Sequence, residues 1–471
     1  MKIRVFISLL SFLALSVSGQ TYNYYFGNLH SHTALSDGNK DSASSGVNNP
    51  TGAYAYAKLS QNFNFLGVSE HNHYSSANNP GFQIQSYTLG LNQAAAANQP
   101  GTFLTLFGIE YGVSSNYNGH IITYGFNQLI GWESGNYDIF NAKTDYDGFF
   151  KKVKNNPGAF CYLAHPQFSD FTTNGTAATA LINMPYNATY DSAIVGTPLR
   201  SGLAFSTFTN YLDYPNGNYF YYYTKLLSIG YHVGIGYDHD NHYTTFGRNN
   251  AGRLVIVTPS LTIPNLYTAM QKMNFYGSDD WNAKVAFTNG TNIMGAQLSG
   301  SVNPTFNITH NDGDGEIADS IKIWRGVSNS GGILPQVISI TKQSNTKTFT
   351  DASLNLNIEY YYFVEIKQND GDWIVTSPIW YKLTNSVGMH EQTPAFEFNY
   401  FPNPVSQKLF LSMAVTDNYR ISIIDISGRE VYQHTYNDNR MEIDLHNLTK
   451  GIYSLKVSSP KQSLTKRLVI E

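Results

Sequence analysis

The sequence predicts an α/β fold in which parallel strands wrapped by helices form a barrel, followed by a β-sandwich and a small all-β region. Three observations lead to this prediction. Short apolar runs alternate with helix-like segments up to about residue 259, alternating β-branched and aromatic runs follow Pro264, and only strand and turn patterns fill residues 396–471. At 471 residues the chain is long enough for several domains with separate cores.

The predicted barrel covers residues 22–264. Its strands are expected where short apolar runs occur, at 24–29, 63–68, 103–109, 120–126, 159–164, 203–208, 233–236 and 254–257. Helices are expected between them, at 52–59, 87–97, 146–154 and 221–229. Strands that alternate with helices in this way are typical of a parallel barrel.

Two further regions follow the barrel. Residues 265–384 are predicted to form the β-sandwich, with strands that include 320–324, 337–341 and 360–366 between Asn, Asp and Gly turns. Polar and flexible residues at 385–395 indicate a linker, and residues 396–471 again consist of strands and turns.

The chain begins with the features of an export signal. Lys2 and Arg4 precede an apolar run, and Val17 and Gly19 occupy the two positions that a signal peptidase reads. Residues 1–19 are therefore predicted to be a signal peptide, with cleavage before Gln20. The alternative is a membrane anchor, but the run is short for a bilayer span, and no later stretch is long and apolar enough to form one.

Composition excludes several functional classes. Cys161 is the only cysteine, so an internal disulfide is excluded, and we expect its thiol to be a buried strand residue rather than a nucleophile. The net charge of -4 and the absence of a basic run argue against a nucleic-acid groove. The sequence also contains neither a G-x-S-x-G elbow nor a P-loop.

Histidines and carboxylates gather at the ends of the predicted strands. Nine of the thirteen histidines lie between His30 and His242. Singly, each of these residues has an ordinary explanation as a turn residue, an ion-pair partner or a hydrogen-bonded core histidine. In a parallel barrel the carboxyl ends of the strands meet, and imidazole with carboxylate suits zinc, manganese or iron. The candidates are His30, His32, Asp37, the 70–73 segment, Glu110, His120, His165 and the 238–242 segment.

This series resembles the polymerase and histidinol phosphatase (PHP) family over residues 24–257 and, more loosely, as far as residue 383. The resemblance implies a distorted (β/α)7-type PHP barrel that holds two or three divalent metal ions, Zn, Mn or Fe. Carried over by motif, the implied metal ligands are His30, His32, Asp37, His71, Glu110, His120, His165, Asp240 and His242.

The sequence departs from the family pattern at two points. Glu70 stands where the family usually has Asp, so we expect it to reach the site from behind the ligands and do not count it among them. Asp238 and Asp240 both fit the acidic position of the closing D-x-H motif, which leaves the choice between them open.

Four further polar residues have no assigned ligand role. His73 and His239 lack a family counterpart, and we expect them to face substrate or solvent rather than to bind metal. Arg248 and Arg253 follow the last motif; either could contact an anionic substrate, although a surface or structural ion pair is the favoured role for each.

The implied activity is hydrolysis by a metal-bridging hydroxide that attacks phosphorus in line. Glu110 would hold the ions together, and Asp240 and His242 would orient the hydroxide or move its proton. The expected substrate is a phosphomonoester or phosphodiester. Two alternatives stay open: hydrolysis of a carbamate, amide or carboxylic ester at the same site, and a non-catalytic surface binding protein.

The C-terminal region resembles the sorting domain of the type IX secretion system. The residues that carry the resemblance are Y-F-P-N-P at 400–404, I-D-I-S-G-R at 424–429, L-T-K-G-I-Y at 448–453 and K-R-L-V-I at 466–470. It implies handling by the type IX secretion machinery, passage through the periplasm, and a secreted or cell-surface product. Residues 369–373 and 377–380 resemble the ending of secreted PHP-like metallohydrolases of the Bacteroidota, with an ordinary hairpin and edge strand as the alternative.

Overall fold

The computed structural model describes residues 21–60, 62–73, 82–113, 118–172, 174–202, 217–244, 252–385, 397–460 and 462–471. The chain forms two compact units, Met1–Asn385 and Ser386–Glu471. The fold is mixed α/β, with many strands and few helices. The predicted signal peptide and, after Asn385, the predicted linker lie outside the described residues.

The first unit contains helices of four to fourteen residues: α1 Ser42–Ser45, α2 Pro50–Ser60, α3 Ile84–Ala97, α4 Tyr146–Lys154, α5 Ala188–Asp191, α6 Gly217–Ile229 and α7 Ile263–Gln271. The strands of its first part are β1 Asn23–Asn28, β2 Phe65–His71, β3 Leu104–Tyr111, β4 His120–Tyr124, β5 Ile130–Gly131, β6 Ile139–Phe140, β7 Phe160–Ala164, β8 Ile194–Pro198, β9 Gly234–Gly236, β10 Arg253–Thr258 and β11 Phe275–Ser278. The remaining strands are β12 Lys284–Asn289, β13 Asn292–Ile293, β14 Gln297–Gly300, β15 Thr305–Asn311, β16 Ala318–Val327, β17 Gln336–Lys342, β18 Thr346–Thr350, β19 Glu359–Gln368, β20 Trp373–Thr376 and β21 Ile379–Leu383.

The pattern of buried residues explains why these segments form strands and helices. Every residue of β2 and β3 is buried, as expected for strands of a parallel sheet that is covered on both faces. Helix α4 buries Tyr146, Phe149 and Val153 on one face, and its N-terminus is capped by Asp145, which accepts a hydrogen bond from the Gly148 N–H.

Most strands of the central sheet are parallel, but two are not. The strand order is β10-β1-β2-β3-β4-β7-β8-β9, and β4 and β10 run antiparallel to their neighbours. The prediction of a uniformly parallel sheet is therefore wrong at these two strands. A parallel crossover needs about a dozen or more residues, and the β3–β4 connection, residues 112–119, is too short for one.

Among the strands of the central sheet, β8 was not predicted from the sequence, and the short pair β5 and β6 was not predicted either. β8 contains Gly196 and ends at Pro198, and both residue types are depleted in strands. The strand predicted at 203–208 lies outside the described residues. The other predicted strands and helices of this region overlap elements of the structure.

The central sheet curls so that its last strand, β9, meets the segments around β11 and β20. The Ile235 N–H donates to Ser377 Oγ at 3.2 Å, and Ser377 Oγ donates to the Phe275 carbonyl at 2.6 Å. A Cβ at Gly277 would lie 2.3 Å from the Gly236 carbonyl oxygen, so glycine is required at this close approach. The curl encloses the largest hydrophobic core of the chain's described part.

The predicted β-sandwich strands at 320–324, 337–341 and 360–366 fall within β16, β17 and β19. These strands belong to the same 15-stranded sheet as the central strands, because β11 pairs with both β10 and β20. A second sheet, β13-β12-β15-β18, lies across a separate hydrophobic core that includes Phe287, Phe306 and Tyr362.

The second unit is all-β. Its strands are β22 Phe398–Phe401, β23 Lys408–Met413, β24 Tyr419–Ile424, β25 Glu430–Tyr436, β26 Arg440–Asp444, β27 Gly451–Ser458 and β28 Ser463–Ile470. They form a three-stranded and a four-stranded sheet around a core that includes Leu409, Ile423 and Leu455. None of the helices in the described ranges of the chain is long and apolar enough to cross a membrane.

Candidate metal centre

The predicted ligands meet at one edge of the central sheet. His30 and His32 follow β1, His71 ends β2 beside Glu110 of β3, and His165 follows β7. His120 begins its strand, so a parallel β4 would place it at the opposite edge. Because β4 is antiparallel, His120 instead lies beside Ala164, next to the other ligands.

Glu110 lies at the centre of the group, and five imidazoles surround its carboxylate. The distances from Glu110 Oε1 are 2.7 Å to His120 Nδ1, 3.0 Å to His165 Nε2 and 3.2 Å to His30 Nε2. Glu110 Oε2 lies 3.2 Å from His32 Nε2 and 3.2 Å from His71 Nδ1. Burial by itself would raise the pKa of Glu110, but the surrounding histidines hold it well below its usual value.

Two further carboxylates complete the group. Asp240 Oδ1 lies 3.2 Å from His30 Nε2 and 3.4 Å from His32 Nε2. Asp37 Oδ1 lies 3.2 Å from His242 Nε2 and 3.6 Å from His71 Nε2. Burial opposes ionisation of Asp37, but His242 and the other neighbouring imidazoles lower its pKa well below the usual value.

The nine residues form three overlapping groups whose candidate ligand atoms lie within 4.8 Å of one another. The groups are His32, Asp37, His71 and His242; His30, Glu110, His165 and Asp240; and His71, Glu110 and His120. The structure thus brings together all nine residues that the sequence singled out as ligands.

The donor set fits divalent cations. Asp37 Oδ1 and Oδ2, Glu110 Oε2 and Asp240 Oδ1 are buried and, among the described residues, have no hydrogen-bond partner. An unsatisfied buried polar group costs about 1–3 kcal/mol, and more when charged. Cations between these oxygens and the facing imidazole nitrogens would offset that cost, and the mixed N/O ligands suit Zn, Mn or Fe.

Asp238 and Asp240 contact different atoms of the same imidazole. Asp238 Oδ1 lies 2.7 Å from His30 Nδ1, on the side of the ring that faces away from Glu110, whereas Asp240 Oδ1 faces Nε2. Asp238 is absent from all three candidate ligand groups. A carboxylate in that position orients a ligand histidine. The geometry therefore favours Asp240 as the ligand and Asp238 as the residue that orients His30.

Glu70 holds the loop that carries Asp37. One carboxylate oxygen accepts hydrogen bonds from the Thr33 N–H, at 3.0 Å, and from the Thr33 hydroxyl, and the other accepts one from the Ser36 hydroxyl. Burial raises the pKa of Glu70 to about 7, although these hydrogen bonds and His32 oppose the shift. Glu70 therefore lies behind the group, where the sequence analysis placed it.

Unusual backbone conformations occur at two of the nine residues. His165 has φ of 28° and Asp240 has φ of 46°, both in the left-handed region that side chains other than glycine rarely adopt. Such conformations persist where the surroundings enforce them, and they concentrate at functional sites.

Several polar residues near the group differ from expectation. His239 is completely buried and its Nε2 contacts the Gly252 carbonyl at 2.9 Å, so the expected contact with solvent is wrong. His73 is also buried and stacks on His71, with a ring-centroid distance of 5.3 Å. Arg253 is buried with its guanidinium 4.5 Å from the Phe63 ring centroid, which is not a surface position. Arg248 lies outside the described residues.

The sequence predicts that an aromatic-lined cleft at residues 211–223 would favour a larger organic substrate, but it gives no role to Tyr219, on α6, in particular. Burial raises its pKa, and the charges of Asp238 and Asp240 raise it further. The run of aromatic residues at 219–223 was the available signal, but Tyr222 and Tyr223 are core residues. Cys161 is buried in β7, as predicted.

Comparison with known proteins identifies the C-terminal part of the chain. Residues 399–471 match the family described as the secretion system C-terminal sorting domain. The chain is a secreted or cell-surface protein. It is handled by the type IX secretion system through this sorting domain, and no curated protein matches the chain.

Three solved structures resemble parts of this chain only weakly. Fibronectin(III)-like modules of Clostridium thermocellum CbhA match at 12% identity and a TM-score of 0.16, over 39% of this chain and 94% of theirs. The human OSCAR ligand-binding domain matches at 15% identity and a TM-score of 0.15, over 40% of this chain and 99% of its own. Parabacteroides merdae β-glucuronidase matches at 8% identity and a TM-score of 0.15, over 43% of this chain and 26% of its own.

Proposed function

We propose that the first unit is a secreted metal-dependent hydrolase and that phosphoesters are its substrates. The observation that carries the proposal is Glu110, whose buried carboxylate is shared by two of the three candidate ligand groups and faces five imidazoles. A carboxylate that links adjacent cations is the central element of a multinuclear hydrolytic site.

We further propose that residues 22–264 form a distorted (β/α)7-type PHP barrel. Seven strands in the order β1-β2-β3-β4-β7-β8-β9 and the curl of the sheet support this proposal. The position of the candidate ligands at one edge of the sheet supports it as well.

The residues divide the work as follows. One cation would be held by His30, Glu110, His165 and Asp240. The other two groups of candidate ligands would hold the remaining cations. When bound, the cations would supply an activated water and neutralise charge that develops on the substrate. His242 Nδ1 donates to the Asp240 carbonyl at 3.0 Å and so presents Nε2 to Asp37, which suits a ligand better than a proton carrier.

Asp240 is the residue best placed to move a proton. Its Oδ1 faces His30 and His32, while Oδ2 lies 3.9 Å from His165, the most exposed of the nine side chains. The carboxylate therefore lies between the buried ligand group and the most exposed of its side chains.

One observation favours the alternative of a carbonyl substrate. Among the described residues, the ion-pair partners of Asp37, Glu110 and Asp240 are all histidines, and Arg200 is held by Asp279 in a two-point contact of 2.5 and 2.9 Å. A phosphoester would then be bound chiefly by the cations, whereas an ester, amide or carbamate needs no basic side chain.

The deciding experiment measures hydrolysis of chromogenic phosphomonoesters, phosphodiesters and carboxylic esters by the full-length protein with Zn, Mn or Fe. We expect turnover of a phosphoester. Turnover of carboxylic esters alone would instead establish the carbonyl alternative, and no turnover by a metal-loaded protein would favour a binding protein.

The variant Glu110→Gln tests the centre itself. We expect it to lose bound metal and hydrolysis together, because the neutral amide cannot link two cations. Metal content by mass spectrometry and the initial rate are the measurements. The matched control is Glu365→Gln, which removes a buried carboxylate bound to Lys322 and Trp324 in the sandwich and should keep both properties. Full metal content in Glu110→Gln would refute the proposal.

A further inference from the structure

A second group of carboxylates lies in the β-sandwich, away from the histidines. Asp280 follows β11, and Asp312 and Glu316 lie in the turn between β15 and β16. One carboxylate oxygen from each lies within 4.8 Å of the others. We name these three residues, together with Gln368 at the end of β19, the sandwich cluster.

Two of the three carboxylates are nearly inaccessible to solvent. Asp280 is 3% exposed and Asp312 is 9% exposed. Burial, and then the charge of Asp312, raise the pKa of Asp280 to about 6. No lysine or arginine in the described ranges forms an ion pair with the three carboxylates.

Gln368 gives a second and independent indication of a ligand. Its side chain is 2% exposed, and its Nε2 lies 3.2 Å from Asp312 Oδ2 and 3.4 Å from Glu316 Oε2. The amide is therefore aimed into the cluster, yet its Oε1 is buried and has no hydrogen-bond partner among the described residues. A half-turn of the amide would bring Oε1 to the position of Nε2, where it could bind a cation.

We propose that the sandwich cluster binds one calcium ion. All of its donor atoms are carboxylate or amide oxygens, which Ca²⁺ prefers, and the absence of imidazole from the cluster disfavours zinc. The chain is secreted or displayed at the cell surface, where calcium-binding modules have dissociation constants of about 10⁻⁴–10⁻³ M. The ion joins the β11–β12, β15–β16 and β19–β20 connections and stabilises the sandwich.

Conservative variants can remove the ligand charge and keep the turns. Asp280 Oδ1 accepts hydrogen bonds from the Asn282 and Ala283 N–H groups, and Asp312 Oδ1 accepts them from Asp314 and Glu316. An asparagine oxygen can accept the same bonds. Asp280→Asn, Asp312→Asn and Glu316→Gln therefore test the ion rather than the local backbone, and Asp319→Asn, at an exposed position on β16, is the matched control.

The test uses the full chain with its hydrolytic metal present throughout, and measures calcium binding by equilibrium dialysis and Tm with increasing CaCl₂. We expect one bound calcium and a Tm rise of a few degrees in the unchanged protein and in Asp319→Asn. Both effects should be lost in Asp312→Asn and Glu316→Gln. The second of these serves if the first does not fold, because Glu316 is only half-buried.

Three results would overturn the proposal: no calcium bound by the unchanged protein, full binding by both variants, or equally tight binding of Mg²⁺. The Glu110→Gln variant separates this question from the proposed hydrolase activity. It should bind calcium normally, and calcium binding that failed in Glu110→Gln would assign the ion to the histidine group instead.

Discussion

The backbone at a single residue separates the contacts of Asp238 from those of Asp240. In an extended strand, residues two apart point to the same side, so the sequence offers both carboxylates to one imidazole. The left-handed φ of 46° at Asp240 ends the extended conformation, and the two carboxylates reach opposite nitrogens of His30. Residue types and strand ends predict the histidines, but not this local turn.

Asp238→Asn and Asp240→Asn should therefore differ in effect. Loss of a carboxylate that orients a ligand histidine costs about 10–100-fold in metal affinity, which we expect for Asp238→Asn. Asp240→Asn removes a proposed ligand, and hydrolysis should fall to background even at high metal concentration. Titration of each apoprotein with zinc measures the difference. Rescue of Asp240→Asn, but not of Asp238→Asn, by excess metal would show that the two roles are exchanged.

At the scale of elements, strand direction was the feature that the sequence did not disclose. An apolar run such as that of β4 predicts a strand but not its direction, and the direction decides whether His120 reaches the site. The short connection at residues 112–119 was the available signal, because it excludes a helical crossover. Strand β8 was not predicted for a different reason. It contains Gly196 and Pro198, and both residue types are more common in turns.

The ion pairs of His232, which link three elements, predict that the stability of the fold depends on pH. His232, just before β9, has Nδ1 2.9 Å from Asp191 of α5 and Nε2 3.4 Å from Glu359 of β19. Burial by itself lowers the pKa of His232, but these two carboxylates outweigh it and raise the pKa to about 9. The folded-state pKa thus exceeds the unfolded-state value of about 6.5.

The stabilisation from His232 is therefore complete below about pH 6.5 and is lost as the pH rises through about 9. We expect His232→Gln to lower the free energy of unfolding by about 2 kcal/mol at pH 6, and to have little effect at pH 10. Denaturant unfolding across this range measures it, with His310→Gln as the control. An equal effect of His232→Gln at both pH values would contradict the ion-pair explanation.

At the scale of the whole molecule, the sequence predicts the C-terminal part most completely. The segments at 400–404, 424–429 and 448–453 identify the sorting domain without the structure, since they are specific local motifs. The sandwich is harder to delimit, because β11 and β20 join it to the central sheet through pairing between strands that are distant in sequence.

Removal of the second unit should separate export from hydrolysis. A chain that ends after Asn385 keeps both cores of the first unit, so we expect the proposed hydrolysis to be unchanged, while the protein accumulates in the periplasm. Cell fractionation and activity in each fraction are the measurements, and full-length Glu110→Gln, which should still be exported, is the control. Normal surface display of the shortened chain would contradict the role of the sorting domain.

The loops that complete the histidine group come from opposite ends of the central sheet's sequence. The Thr244 N–H donates to Asp41 Oδ1 at 2.9 Å across 203 residues, and the His32 N–H donates to the Asn241 carbonyl at 2.9 Å. A growing or partly translocated chain therefore cannot present the complete set of ligands. Under the proposed function, metal capture would coincide with the last steps of folding, and the supply of ions where folding ends would decide which metal the protein acquires.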